Sequence, residues 1–455
     1  MGKEEKKINR RDYLKYTGAG IGGLIVGGAL GYLLKPKEVV EKTITAPGVT
    51  ATTTVEKTIE KTIEKTVAIT ATPTKPPVEL TVFSLWGATE EERFLKTLEA
   101  FTAETGIKVK HVKQPEEMRM LVPMEFAAGR STADVIMTPW IAWVKDLAKE
   151  GHLIEVTDLL KKDELIPIYV KLGTVDGKCY AAPFKAWAKP GFWYRISFFK
   201  EHGLTIPTTW DEFIKLLDTL KGIPGIEAPI ASGDTDGWPL TDVTEAFLIY
   251  RGGPELQEKL IAGEVTFTDP QVKAIMKELA DLLAKGYFSE PADWTSQIDK
   301  LWMGKYGIYF MGNWMTIMPQ VKDVKDLGFF PFPGTKGAVG GGDWAIIPKY
   351  SQHLEEAKML VKFLAGPKAQ EIQVRYGGFL PTNLKVPEEA FTPADKKVVD
   401  FLATVKVVPD LDDAVGGSFL REFRSQLKLL WVKPDALESV LEILTKAHLE
   451  STKKA

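Results

Sequence analysis

The sequence predicts an α/β fold, and three observations predict it. Apolar runs of strand length alternate with segments of helical apolar spacing, glycine, proline and aspartate stand between them, and helix-opening residues recur in the later half. At 455 residues the chain exceeds the roughly 100 to 200 residues of a usual domain, so two lobes can be accommodated.

The elements follow in order from Leu80. Leu80 to Trp86 is a short apolar run ended by Gly87, and Glu90 to Thr105 carries Phe94, Leu95, Leu98 and Phe101 at helical spacing. Gly106 closes that helix, Ile107 to Val112 alternates as a strand, Met118 to Ala128 is helical, and Asp134 to Met137 is a strand again. Repeated strand–helix units of this kind imply a mostly parallel sheet covered by helices on both faces. Asp176-Gly177 between Thr174-Val175 and Lys178-Cys179 reads as a hairpin turn. Thr209-Trp210-Asp211-Glu212 is a capping box opening the helix Phe213 to Lys221, and Asp269-Pro270 opens a helix that ends at Gly286. Further helices are expected over His353 to Ala365, Pro367 to Tyr376, Ser418 to Leu430 and Asp435 to His448.

The first 78 residues read differently. Lys3 to Arg11 is charged and contains Arg10-Arg11, followed by Asp12-Tyr13-Leu14-Lys15, a pattern that resembles a twin-arginine export signal. Thr17 to Leu34 is apolar and glycine-rich, and as a helix of about 1.5 Å per residue it spans roughly 27 Å, enough to cross a bilayer core. Its basic flank would stay in the cytoplasm. Lys35-Pro36-Lys37 offers no small-x-small cleavage site, so residues 1–36 are expected to act as a signal or an uncleaved membrane anchor. Residues 37–78 turn to threonine, valine, glutamate, lysine and proline, with the tetrad Val55-Glu-Lys-Thr repeated from Ile59 and Ile63. Apolar residues this sparse do not offset the entropy of ordering, which makes the segment a stalk, with a short helical spacer as the competing reading.

Composition removes several functions. With 58 basic and 61 acidic side chains the net charge is −3, so no positive field invites nucleic acid. Cys179 is the single cysteine and is expected to be a buried apolar residue. The five histidines, His111, His152, His202, His353 and His448, form no metal-binding spacing. Neither a G-x-S-x-G elbow nor a Walker loop is present, and no cofactor is expected.

An ordered series of motifs then becomes specific. Val82 to Gly87 is followed by Glu90-Glu91-Glu92, and Ala133 to Met137 by Pro139-Trp140. Tyr180-Ala-Ala-Pro183-Phe184, Phe192-Trp193-Tyr194 and Pro207-Thr-Thr-Trp210-Asp211-Glu212-Phe213 come next. Asp236-Gly-Trp238-Pro-Leu240, Tyr306 to Trp314, Phe329-Phe-Pro331 and Gly377-Gly-Phe-Leu-Pro381 continue the order. From Glu79 to the C-terminus the series resembles the extracellular solute-binding proteins that include maltose- and other sugar-binding members. Arg195, where many members carry asparagine, and the long stalk depart from that pattern.

The resemblance implies a two-lobe periplasmic-binding-protein-like fold, with residues 79–189 and 332–378 in one lobe and 190–331 and 379–455 in the other. Crossings between lobes are expected near Ala188 to Trp193, Gly328 to Pro333 and Gly378 to Pro381. It also implies a monomeric substrate-binding subunit of an ABC importer. Such a subunit would take a sugar or oligosaccharide into an interlobe cleft, close over it and deliver it to a membrane permease. A sugar offers apolar C–H faces ringed by hydroxyls, so its site needs flat aromatic surfaces with polar groups around them. Of twelve tryptophans, Trp86, Trp140, Trp187, Trp238, Trp314 and Trp344 are expected as stacking platforms, with Trp210 assigned to packing its own helix. Glu90, Glu91, Asp236 and Asp343 are expected as hydroxyl acceptors and Lys185 and Asn313 as donors, Glu90 and Glu91 having the alternative of stabilising a helix N-terminus. Gly340-Gly-Gly-Asp343-Trp344 is expected to be a flexible ligand loop. Binding of another solute (iron, polyamine or peptide) and an anchored carbohydrate-active enzyme with paired carboxylates are the alternative readings.

Overall fold

The computed structural model describes residues 78–114, 117–234 and 237–453. The anchor and stalk readings, over residues 1–78, fall almost wholly outside these residues, as does Asp236. Among the described residues no helix is long and apolar enough to cross a membrane.

Two sheets organise the chain. The larger contains β1 (Glu79–Ser84), β2 (Lys108–Lys113), β3 (Val135–Thr138) and β4 (Ala182–Lys189). The smaller is built from β5 (Gly191–Arg195), β6 (Ala228–Ala231), β7 (Tyr306–Met311) and β8 (Leu327–Phe330). The chain then returns to the larger sheet with β9 (Gly337–Ile346), β10 (Leu380–Pro381) and β11 (Lys406–Pro409). The larger sheet has the order β10-β4-β9-β3-β1-β2 with β11 beside the start of β9; the smaller is β8-β5-β7-β6. Pairing is parallel where a helix intervenes, as in β1–β2, β1–β3 and β6–β7. It is antiparallel where long connections return the chain, as in β4–β9 and β5–β7.

This is a two-lobed α/β fold, and the crossings are short. Lys189 ends β4 and Gly191 begins β5, so one residue carries the chain from the larger sheet to the smaller. Residues 331–336 bring it back. The third crossing differs from expectation: Leu380 and Pro381 pair with Ala186 and Lys185 inside the larger sheet. The chain leaves that sheet only after β11, where Leu411 joins the apolar core of the smaller lobe with Phe419, Phe423 and Leu427. The residue after Pro190 must be glycine, because a Cβ on Gly191, held at φ +150°, would sit 2.2 Å from the Phe330 carbonyl oxygen.

Local chemistry explains the elements. Thr209 and Glu212 form the reciprocal capping box at the Trp210–Lys221 helix, and Trp210 packs at 5.5 Å from Phe213 under the Arg251 guanidinium. The Asp176-Gly177 turn has both residues at positive φ, +48° and +79°, as a two-residue hairpin requires. Along β5, Phe192 and Tyr194 enter the core of the smaller lobe while Trp193 faces the other side, the period of two that a strand imposes. Cys179 is buried, as expected.

Gly340 to Trp344 is not a loop. It lies inside β9, paired across its length with β4. The glycines serve packing: a Cβ on Gly341 would fall 2.3 Å from the six-membered ring of Trp187, and one on Gly342 would meet Tyr169 at 3.2 Å. Both aromatic rings lie against bare backbone.

Candidate functional site

A cleft of about 630 Å³ is lined from both lobes. The larger sheet and its helices contribute Trp86, Glu90, Trp140, Trp187, Lys189 and Asp343, and the smaller lobe contributes Trp238, Asp242, Trp294, Trp314 and Arg424. On β4 the residues Lys185, Trp187 and Lys189 are two apart and so project from one face of the strand. All eight residues of this central strand are buried, the two lysines included.

Four indoles form a continuous corner. Trp187 meets Trp314 at 5.8 Å and 86°, Trp314 meets Trp238 at 5.8 Å and 62°, and Trp238 meets Trp294 at 5.3 Å and 67°. Edge-to-face contacts of this kind are favourable in themselves and fix each ring's plane. Trp314 is the junction. It enters the cleft because the short helix Asn313–Ile317 starts where β7 ends, and Gly312 leaves room for the ring, a Cβ there lying 2.1 Å from it.

At one end of the cleft Lys185 is held by aromatic faces and acids. Its ammonium lies 3.9 Å from the Trp86 ring centre and 3.4 Å from that of Phe379, with Glu90 Oε1 at 3.4 Å and Asp343 Oδ2 at 4.0 Å. Burial pushes the Asp343 carboxyl up to about 7, the Lys185 charge opposing that rise and Glu90 adding to it.

At the other end Lys189 pairs with Asp242 and Asp410. Burial alone would lower the lysine, but the two carboxylates raise it well above its ordinary value. Asp410 follows β11 directly, and Asp242 stands on the Trp238–Gly252 helix of the smaller lobe. One ammonium at the first crossing therefore joins the third crossing to the smaller lobe. Behind it Arg424 donates from Nε to Asp412 Oδ2 at 2.8 Å and lies 3.9 Å from Asp413, while Glu245 accepts from the Leu411 amide at 2.7 Å.

The structure brings together Trp86, Glu90, Trp140, Trp187, Trp238, Trp314 and Asp343 from the sequence reading. Four others stand elsewhere. Trp344 is 2% exposed, packs with Phe83 and Ile136 inside the larger lobe, and its indole N–H donates to the Tyr169 carbonyl at 3.0 Å; the β4–β9 register shifts between Asp343 and Trp344, and of the two only Asp343 lines the cleft. Glu91 turns aside to His111 at 2.9 Å, since successive helical residues are about 100° apart. Asn313 is fully buried and accepts from the Ala188 amide at 2.9 Å, tying the Trp314 segment to β4. Lys185 is buried beneath the wall, holding Trp86, Glu90 and Asp343 in place.

Sequence reasoning missed Trp294, Lys189, Asp242, Asp410, Asp412, Asp413 and Arg424. Trp294 carried a usable signal, for it follows Asp293, whose side chain caps its helix. The ionic residues carried none, because they come from segments as much as 235 positions apart (189 to 424).

The place of Gly341 gives a sharp expectation. Gly341→Ala must drive the Trp187 indole off β9, and overpacking of this kind costs about 1–3 kcal/mol. Urea unfolding should show that loss, and calorimetric titration should show ligand affinity weakened by about tenfold or more; native affinity in the variant would mean that Trp187 takes no part in binding.

The family model described as bacterial extracellular solute-binding protein matches residues 87–371. An uncharacterised ABC transporter extracellular-binding protein of Pyrococcus horikoshii is 45% identical over 375 residues, covering 82% of this chain and 88% of its own. The alpha-glucosides-binding periplasmic protein AglE of Rhizobium meliloti is 26% identical over 360 residues, 71% of this chain and 76% of its own. A solved chitin oligosaccharide binding protein superposes with a TM-score of 0.72 at 24% identity, over 83% of this chain and 99% of that one.

Proposed function

Since this chain belongs to the bacterial extracellular solute-binding protein family, we propose that it takes a sugar or oligosaccharide into the cleft between its lobes and delivers it to the permease of an ABC importer. The observation that carries this reading is the corner of Trp187, Trp314, Trp238 and Trp294 facing Asp343, Glu90 and the Lys189 pair. Perpendicular indoles offer two adjoining flat surfaces, which suit a pyranose ring or the bend between two of them. The surrounding carboxylates and cations suit its hydroxyls once water has left. That several relatives bear sugar-binding names supports the same reading, alpha-glucosides among them.

Closure about the three crossings is favoured because only the closed state offers the ligand both lobes at once. The bound sugar is released unaltered, the chain acting as a monomeric carrier rather than a hydrolase. Residues 1–36 hold it at the outer face of the membrane and residues 37–78 give it reach, which raises its effective concentration near the permease.

Thermal unfolding of the full chain against neutral mono-, di- and oligosaccharides tests this. At a ligand concentration near 100 Kd, a stabilisation of about 2.7 kcal/mol is expected for the right sugar, with no released product. Stabilisation by none of them, or steady turnover of one, overturns the reading.

A further inference from the structure

The cleft has an excess of acid at one end. Asp242, Asp410, Asp412 and Asp413 line it, and Glu245, fully buried, stands behind. Among the described residues two cations form ion pairs with these five carboxyl groups, Lys189 with Asp242 and Asp410 and Arg424 with Asp412 and, at 3.9 Å, Asp413; the charge of Arg119 also acts on Asp413, so five acids still face three cations. Even with both cations engaged, Asp242 Oδ2 and Glu245 Oε1 have no hydrogen-bond partner, although their residues are 1% and 0% exposed. A buried carboxylate oxygen without a donor is costly, and Asp242 borders open cleft.

Such an excess is relieved either by protons or by a cation that arrives with the ligand. Without a ligand, protons do it in part: burial pushes Asp242 up to about 6 against the pull of Lys189, and burial together with Asp410 pushes Asp413 up to about 8. Trp187 stands between this acid cluster and the rest of the indole corner, and it already has one ammonium, that of Lys189, 5.2 Å from its ring centre. Indole faces and carboxylates together are the surroundings that an organic ammonium prefers.

We propose that the Asp242–Asp413 end of the cleft is a subsite for a protonated amino group, so that the favoured ligand is a saccharide carrying a free amine. This deepens the sugar-binding reading and rests on it. A divalent metal suits the place less well. The oxygens of Glu245, Asp410 and Asp412 lie within 4.8 Å of one another, but Glu245 is engaged by the Leu411 amide and Gln257, Asp410 by Lys189, and Glu245 is shut off from the cleft wall. A metal would have to displace these N–H donors. An amine supplies further donors of the same kind to the two oxygens on the cleft that lack them, Asp242 Oδ2 and Asp413 Oδ1.

The test is calorimetric titration of the full chain with glucosamine oligomers, with their N-acetylated counterparts of equal length, and with maltooligosaccharides. The free-amine oligomers are expected to bind at least about tenfold more tightly than the N-acetylated ones, the gain of a charge-assisted contact. Asp413→Asn, at a partly exposed position, and Asp242→Asn should each bring the ratio of the two affinities towards one. Equal affinity for both oligomers in the native chain overturns the amine subsite while leaving sugar binding intact. Binding of none of the three overturns the subsite and its premise together. Should Ca2+ or Mg2+ alone stabilise the chain and abolish the amine preference, the cluster is a metal site and the proposal falls.

Discussion

Trp314→Ala is expected to weaken binding of the best sugar by roughly 30- to 1000-fold, the equivalent of about 2–4 kcal/mol for truncating a central aromatic contact. The expectation is this large because Trp314 touches both Trp187 and Trp238, so that its loss removes one surface and frees two others. The change falls in the dissociation constant by calorimetry, with a much smaller change in unfolding midpoint, since this ring is only partly buried. Trp210→Ala is the comparison: that ring packs on Phe213 and Tyr250 away from the cleft, and its removal should cost stability while leaving affinity alone. Equal losses of affinity in the two variants would show that the indole corner has no special part.

Lys189→Met is expected to destabilise the fold by about 3–5 kcal/mol at neutral pH, because it strands two buried carboxylates. The pH dependence separates this cause from a loss of packing. In the native chain Lys189 holds Asp410 below the ordinary carboxylate range against the effect of burial, so that acid stays ionised and paired down to low pH. In the variant burial loses its main opponent, with only Asp412, the Asp413 amide and Arg424 left to counter it, and the folded state then holds the protons of Asp242 and Asp410 at a pH where the unfolded chain has released them. Stability of the variant therefore rises as pH falls from about 8 towards about 5, and the gap to the native chain narrows. A gap that stays constant over that range would mean that the stem of Lys189, not its charge, is what matters.

How much of this was legible in the sequence depended on the range over which each signal acts. The alternation that gave β1 to β3, the Thr209 capping box and the Asp176-Gly177 hairpin are local, and they stand where the residues placed them. Trp238 and Trp314 are legible because each stands at an element boundary within two residues of a glycine, whereas Trp187 lies inside β4 between two alanines. Trp344 is drawn into the interior by packing and by the Tyr169 carbonyl, contacts made with residues distant in the sequence that no local pattern announces. The three glycines from Gly340 were read for freedom of the backbone, whereas two of them exist to let rings lie on a strand. The Lys189 cluster was out of reach by its nature: it is assembled only when β4, β11 and the helices at Asp242 and Arg424 converge, and no periodicity in any one segment announces it.

Half of the chain's tryptophans, six of twelve, line a single cleft. Indoles crossing at 62° to 86° with ring centres 5.3 to 5.8 Å apart couple their excited states, and their emission responds to the polarity around them. The protein is thus its own optical reporter, in which water driven from one crevice alters much of the molecule's fluorescence, and occupancy can be followed without any added dye.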